Sequence, residues 1–281
     1  MEKKRVLLLS EGFGAGHTQA AYALSSSLRK LSPEVQTKVL ELGSFLNPRV
    51  APLIITAYKK TVTNQPKLVG YVYRHQYKKS LNRLTTLALH KLFYTHTRSV
   101  VRQLRPNAIV CTHPIPSAVI SRLKRLGVQV PLCTVITDYD AHGTWISPEV
   151  DLYLVSTEEV KSKLMLRGVS ADKIRVTGIP VHPNFWEHPG RDEIRAKFNL
   201  RDMPTVLVMG GGWGMLSDEV VNKLLTRWHN NIQIIFCLGR NDKIRISMEQ
   251  NPEYRKENIH IIGYTKEVDK LMEVSDLLIT K

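Results

Sequence analysis

Glu11-Gly12-Phe13-Gly14-Ala15-Gly16-His17 sets a histidine at the end of a glycine-rich turn, directly after the apolar run Val6-Leu7-Leu8-Leu9. Imidazole exchanges a proton near neutral pH, so a histidine here could take a proton from a bound hydroxyl. The glycines let the backbone turn sharply and approach a ligand with no Cβ in the way. Ala20, Ala21, Leu24 and Leu28 follow at helical spacing, so the turn opens a helix whose free N–H groups converge on an anion or polar oxygen. A dinucleotide loop would need Gly or Ala where His17 stands, although Glu41 could then serve as the ribose-binding acid. A phosphate loop of nucleotide hydrolases would need the lysine that Gly16-His17-Thr18 lacks. The bland alternative is a tight turn that only packs the first helix on its sheet.

Three further groups of residues follow apolar runs. Thr137-Asp138-Tyr139-Asp140-Ala141-His142-Gly143-Thr144-Trp145 places two acids, a histidine and an indole after a strand. Asp138 could orient a histidine or accept from a hydroxyl, and Trp145 could offer a platform for a sugar or lipid. Asp138, Asp140 and His142 could instead hold a metal, but no matching ligand spacing occurs elsewhere, and a purely structural loop is the third reading. His113-Pro114 ends another strand and could line the same rim or merely cap a helix. Gly210-Gly211-Gly212-Trp213-Gly214 is a second glycine loop, followed by a helical pattern at Val220, Val221, Leu224 and Leu225, and would cradle a phosphate by the same N–H logic. Neither a Gly-x-Ser-x-Gly elbow nor a cysteine–histidine nucleophile pair is present, which disfavours covalent catalysis.

The elements that must position these groups alternate along the chain. Strands are expected at 6–9, 35–40, 108–111, 132–136, 152–155 and 174–176, and again at 205–209, 232–237, 259–262 and 277–279. Continuous apolar strands separated by helices imply parallel sheets covered on both faces. The expected fold class is therefore α/β, with two doubly wound domains facing a cleft. The first spans 1–182, a polar linker spans 183–202 and leads into a helix near 192–198, and the second domain spans 203–281.

The charge is concentrated in one stretch. The chain has 40 basic and 25 acidic residues, a net +15, yet no Asp or Glu lies between Glu41 and Asp138. The densest part, 58–105, interleaves Lys and Arg with Tyr71, Tyr73, Tyr77, Phe93, Tyr94 and leucines. Basic amphipathic helices with aromatics suit an anionic membrane surface, each nearby cation contributing about 1 kcal/mol. A nucleic-acid groove or a plain solvated face would use the same charges. With no apolar run of membrane-spanning length and no leader before the first strand, any attachment to a membrane is expected to be peripheral and on the cytoplasmic face. Cys111, Cys133 and Cys237 are odd in number and sit in apolar runs, as free buried thiols would.

The loop at 12–17, the Thr137-Asp138…His142…Trp145 segment, the Gly178-Ile179-Pro180-Val181 hinge and the loop at 210–214 resemble the family of monogalactosyldiacylglycerol synthases and processive diacylglycerol glucosyltransferases. The resemblance implies the GT-B fold and inverting transfer of glucose or galactose from a UDP-sugar to diacylglycerol, with no metal or other cofactor, at an anionic membrane and without nucleic acid. It makes His17 the general base, with Asp138 supporting that chemistry or the acceptor. Gly210, Gly211, Gly212, Trp213, Gly214, Gly239, Arg240 and Asn241 would bind the donor, with Gly263 and Tyr264 near the uracil. Gly14, Gly16, His113, His142 and Trp145 would meet the acceptor, and Lys59, Lys60, Arg74, Lys78, Lys79 and Arg83 the lipid surface. The family continues past the strand at 277–279 with a Pro-Gly-Gly-Leu-Thr type loop and a ribose-binding glutamate, so an incomplete second domain is expected. An inactive lipid- or nucleotide-binding chain and a UDP-sugar epimerase of the same fold are the alternatives.

Overall fold

The computed structural model describes residues 3–64, 94–187, 190–212, 214, 226–228 and 230–280. They form two compact units, Met1–Pro183 and Asn184–Lys281. Among the described residues no helix is long and apolar enough to cross a membrane.

The first unit is built on six parallel strands: β1 (Arg5–Ser10), β2 (Gln36–Glu41), β3 (Ala108–Cys111), β4 (Leu132–Val135), β5 (Leu152–Val155) and β6 (Ile174–Val176), in the order β2-β1-β3-β4-β5-β6. Leu7, Leu8 and Leu9 of β1 are all buried, because a central strand covered on both faces has no polar side to alternate with. Helix α1 (Ala15–Leu31) buries Ala20, Ala21 and Ala23 and ends in Arg29 and Lys30, where the carbonyl end of the helix favours cations. Helices α2 (Leu42–Leu46) and α3 (Ala51–Asn64) follow β2, and α4 (Thr97–Leu104) leads into β3. Helix α5 (Pro114–Arg125) starts on a proline, which suits the first turn because its missing N–H has no partner there anyway. Helix α6 (Glu158–Leu166) is capped by the Thr157 hydroxyl.

In this order β2 and β3 lie on opposite sides of β1. The winding direction reverses there, and a crevice opens outside the carboxyl ends of β1 and β3. The loops after β1, β3 and β4 are those that hold the glycine turn, His113 and Asp138.

The second unit has four parallel strands in the order β10-β7-β8-β9: β7 (Thr205–Met209), β8 (Gln233–Cys237), β9 (Ile259–Ile262) and β10 (Leu277–Thr280). Helix α7 (Arg191–Lys197) lies in the stretch read as a linker, and its Ile194 is buried with Leu207, Ile235 and Leu271. Helices α8 (Asp242–Gln250) and α9 (Val268–Glu273) complete the described elements. The reversal falls at β7, again the strand that precedes a glycine loop. The helical pattern at 220–225 lies outside the described residues. Cys111, Cys133 and Cys237 are free.

The loop from β4 to β5 is pinned by one phenol. Tyr153 Oη accepts from the Ser147 N–H and donates to the Ser147 carbonyl, both at 3.0 Å, and both residues are buried. Tyr153→Phe keeps the ring but strands the buried Ser147 N–H, while the carbonyl keeps the Val150 N–H at 3.3 Å, so it is expected to destabilise the first unit by roughly 1–3 kcal/mol in urea unfolding.

Candidate active site

His17 lies in the first turn of α1, immediately after the glycine turn. Its Nδ1 is 2.6 Å from Thr137 Oγ1, which joins the loop after β1 to the loop after β4. Burial lowers its pKa below the ordinary histidine value. The Asp138 carboxylate and a hydrogen bond to the Thr112 backbone pull it partly back, and His142 pushes the other way. The ring is therefore neutral at pH 7, and protonating it is made less costly by a carboxylate close at hand.

Asp138 is held ionised. Burial alone would raise its pKa, but the bonds from His142 and Trp145, with His17 adding to them once it is protonated, outweigh burial and hold it below the usual carboxylate value. Trp145 Nε1 donates to Oδ2 at 2.8 Å, and His142 Nε2 lies 3.5 Å from the same oxygen. His142 Nδ1 is in turn bonded to Thr144.

His113 stands behind His17. Its Nδ1 accepts from the Ile115 N–H at 3.2 Å, capping α5, so the ring's proton is on Nε2. Burial, with His17 and His142 adding to it, holds its pKa well below the ordinary value and keeps it neutral. The two rings meet edge to face at 4.8 Å. Phe13 stacks on His113 at 5.9 Å and meets Tyr58 of α3 at 5.4 Å, which gives the turn an apolar flank.

Three expectations need correction. Trp145 is no platform for a sugar or lipid: it is 0% exposed, and its indole serves Asp138. His113 does not line an acceptor rim but is buried as a helix cap and a wall for His17. Tyr94, grouped with the membrane-facing aromatics, is buried with its hydroxyl on Glu11. Glu41, weighed as a ribose acid, accepts from Thr18 Oγ1 at 2.9 Å. Arg74, Lys78, Lys79, Arg83, the Lys59 side chain and Trp213 lie outside the described residues, while Lys60 is exposed on α3. Among the described residues, no group of three His, Cys, Asp or Glu side chains is arranged to hold a metal ion.

The second unit gathers its expected donor residues at the carboxyl edge of its sheet. Gly214 has φ +61°, and a Cβ there would lie 1.8 Å from the Leu238 carbonyl oxygen. At Gly239, φ +55°, a Cβ would lie 2.6 Å from the Gly211 oxygen. The loops after β7 and β8 thus interlock through bare backbone, and the Arg240 N–H reaches the Gly212 carbonyl at 3.4 Å. Asn241 is committed to the scaffold: its Nδ2 donates to the Gly214 carbonyl at 3.1 Å, and its Oδ1 caps α8. The Arg240 guanidinium lies over the Tyr264 ring at 4.7 Å, and Gly263 closes the far side against Arg245.

Residues 17–181 match the family described as monogalactosyldiacylglycerol (MGDG) synthase. The chain belongs to that family. The match begins at the histidine itself and takes in the loops after β3 and β4 that meet it. Relatives of this MGDG synthase family chain include the processive diacylglycerol beta-glucosyltransferase of Bacillus licheniformis, 28% identical over 99% of this chain and 72% of that protein. The protein of the same description from Staphylococcus epidermidis is 28% identical over 100% of this chain and 71% of its own length. Among solved structures, Anabaena Alr3699/HepE in complex with UDP-glucose aligns with TM-score 0.54 at 13% identity, over 98% of this chain and 72% of that one. The Staphylococcus aureus MnaA–UDP structure aligns with TM-score 0.59 at 13% identity, over 99% and 74%. These structures share the fold, which is α/β of the GT-B class.

Sequence reasoning missed Thr137 as the partner of His17, and it missed the buried Glu11 and the half-buried Glu41 as carboxyls beside the turn. The one available signal was position, since each directly follows or ends a strand of the first sheet.

The two glycine loops respond differently to an added methyl. Gly214→Ala is expected to lower the melting temperature of the second unit, since it meets a carbonyl oxygen and a strained φ worth about 1–3 kcal/mol. Gly16→Ala meets nothing within 4 Å and is expected to melt as the parent chain does. Differential scanning calorimetry of both variants checks the pair.

Proposed function

We propose that the protein transfers glucose from UDP-glucose to the free hydroxyl of diacylglycerol, inverting the anomeric centre. The observation that carries the reading is the neutral His17 ring, held by Thr137 and backed by an ionised Asp138, in a chain of the MGDG synthase family. An alcohol is a poor nucleophile at pH 7. His17 takes its proton as the oxygen attacks the anomeric carbon, and the carbon–oxygen bond to UDP breaks with the electron pair leaving on the diphosphate. The imidazolium that forms is stabilised by Asp138 and returns its proton to solvent. An α-linked donor gives a β-linked product, in line with the beta-glucosyltransferase relatives. The N–H groups of Gly211, Gly212 and Gly239, in the loops after β7 and β8, would stabilise the departing diphosphate without a metal ion.

The acid-free basic stretch supports attachment to anionic lipid at the cytoplasmic face. Glucose is preferred over galactose on the names of the relatives, whereas the family description names galactose.

Purified protein with diacylglycerol in anionic vesicles is expected to form a glycolipid from labelled UDP-glucose, and His17→Ala to lose about 10²- to 10⁴-fold in kcat. Product from UDP-galactose alone would reassign the donor. Turnover of UDP-sugar without lipid would support an epimerase, and vesicle binding with no product would leave a binding protein.

The base must be unprotonated, so kcat/KM rises with pH through the His17 pKa, and the acid limb falls below the ordinary histidine value. Asp138→Asn removes a charge that raises that pKa. The acid limb is expected to move to still lower pH while the plateau drops, because the imidazolium loses its partner. A pH–rate profile with the limb unmoved or shifted upward would refute this role for Asp138.

A further inference from the structure

Glu11 follows the last residue of β1 and precedes the glycine turn, and it is 2% exposed. Its Oε1 accepts from Tyr94 Oη at 2.9 Å and from the Gly43 N–H at 3.0 Å, and its Oε2 lies 3.2 Å from the same N–H. Gly43 and Tyr94 are the two ends of a segment that leaves the sheet after β2 and returns before α4. One carboxyl therefore ties both ends of that segment to the strand that launches the turn. The fit is close: a Cβ on Gly43 would lie 2.8 Å from Oε2.

A second carboxyl brackets the turn. Glu41, at the end of β2, accepts from Thr18, the neighbour of His17, and Thr18 Oγ1 also reaches Ser10 Oγ at 3.3 Å. Gly12 is wedged between Glu41 and α3, since a Cβ there would lie 3.2 Å from Glu41 Oε2 and 2.9 Å from Ile55 Cδ1. The turn cannot shift without disturbing one carboxyl or the other.

We propose that Glu11 is a positioning residue for the transfer reaction: by clasping Gly43 and Tyr94 to the end of β1, it fixes the glycine turn that sets His17 on Thr137. The assignment rests on the reading of His17 as the base. Reacting groups displaced by an ångström lose about 10²-fold in rate, so a rigid turn matters even though Glu11 touches no substrate.

The clasp is also sensitive to charge. Burial raises the Glu11 pKa, the Tyr94 and Gly43 donors lower it, and Glu41 raises it again, leaving it at about 7. The titratable groups facing it are Glu41 from β2, Tyr94 ahead of α4 and Cys111 from β3. Because the folded-state value lies above the ordinary 4.5, the stability this group contributes is present at low pH and is lost as pH rises through about 7. Ionisation there puts a charge in a buried place beside Glu41, the two influences that raise the value, so the turn holds best with Glu11 neutral.

The test compares Glu11→Gln, Glu11→Ala and Tyr94→Phe in the full chain, with folding checked by circular dichroism. Two readouts are taken across pH 5–9: transfer kinetics, and the His17 ring resonances by long-range ¹H–¹⁵N NMR, assigned with His17→Gln. Glu11→Ala is expected to lower kcat about 100-fold with KM for UDP-glucose unchanged, and Tyr94→Phe to lower it about tenfold. Glu11→Gln keeps the acceptor oxygen but cannot ionise. It is expected to recover at least about tenfold of the alanine loss and to abolish the decline in kcat above pH 7. Wild-type kcat in Glu11→Ala, or an unchanged alkaline decline in Glu11→Gln, would overturn the proposal. If Glu11→Ala does not fold, the other two variants decide. If even the parent chain transfers no sugar, the NMR readout still does: a second inflection near pH 7 in the His17 ring that vanishes in Glu11→Gln supports the clasp, and its absence from the parent refutes it.

Discussion

An imidazole taken out of water must be held by specific partners, and the first unit is organised around doing this for His17. The ring is bonded to Thr137 on the loop after β4 and to the backbone of Thr112 after β3, while its own helix starts from the turn after β1. Three loops converge on it only because β1, β3 and β4 are adjacent and parallel, so that their carboxyl ends share one edge. An antiparallel neighbour would send one of those loops to the opposite edge. The strand order is therefore a precondition of the chemistry. The polar cluster it creates is high in stakes, because each member removed leaves another unpaired in a poorly solvated place.

The two units handle charge by different means. In the first, side chains carry it: Asp138 is kept ionised by an indole and a histidine, against the pull of its own burial. In the second, the glycine loops after β7 and β8 approach so closely that no Cβ fits between them, and the interlock is made by backbone dipoles, the Arg240 N–H reaching the Gly212 carbonyl and the Gly214 N–H the Gly211 carbonyl. Such dipoles are fixed in direction by the fold and need no reorganisation when a ligand's charge changes. Asn241 shows how that fixity is achieved, one end of its amide closing the Gly214 turn and the other capping α8.

The strands were legible because central parallel strands are apolar on both faces, and nothing else in the chain reads as four to six such residues bounded by polar turns. The glycine turns and the acids at strand ends were legible as positions. What sequence could not give was direction. Trp145 looked like a ligand platform because aromatics near acids often are, yet its indole N–H turns inward onto Asp138. His113 looked like a rim residue, and the two prolines after it gave a fair hint of the helix it caps. Glu11 was read only as the first residue of the glycine turn. Its partners Gly43 and Tyr94 are distant in sequence, and a buried carboxyl leaves no periodic trace by which to find it.

Diacylglycerol as acceptor sharpens the meaning of the charge distribution. That molecule has no net charge, so it offers no electrostatic handle, and its hydroxyl alone cannot draw a protein to a bilayer. Attraction has to come from other, anionic lipids, at about 1 kcal/mol for each basic residue near the surface. A stretch from Glu41 to Asp138 without one intervening acid meets that need, since any acid there would work against it. The acids that the first unit does place near its reactive histidine, Glu11, Glu41 and Asp138, each accept hydrogen bonds from within the fold. Negative charge is thus retained where the His17 ring is held, and it is absent from the segment proposed to face the membrane.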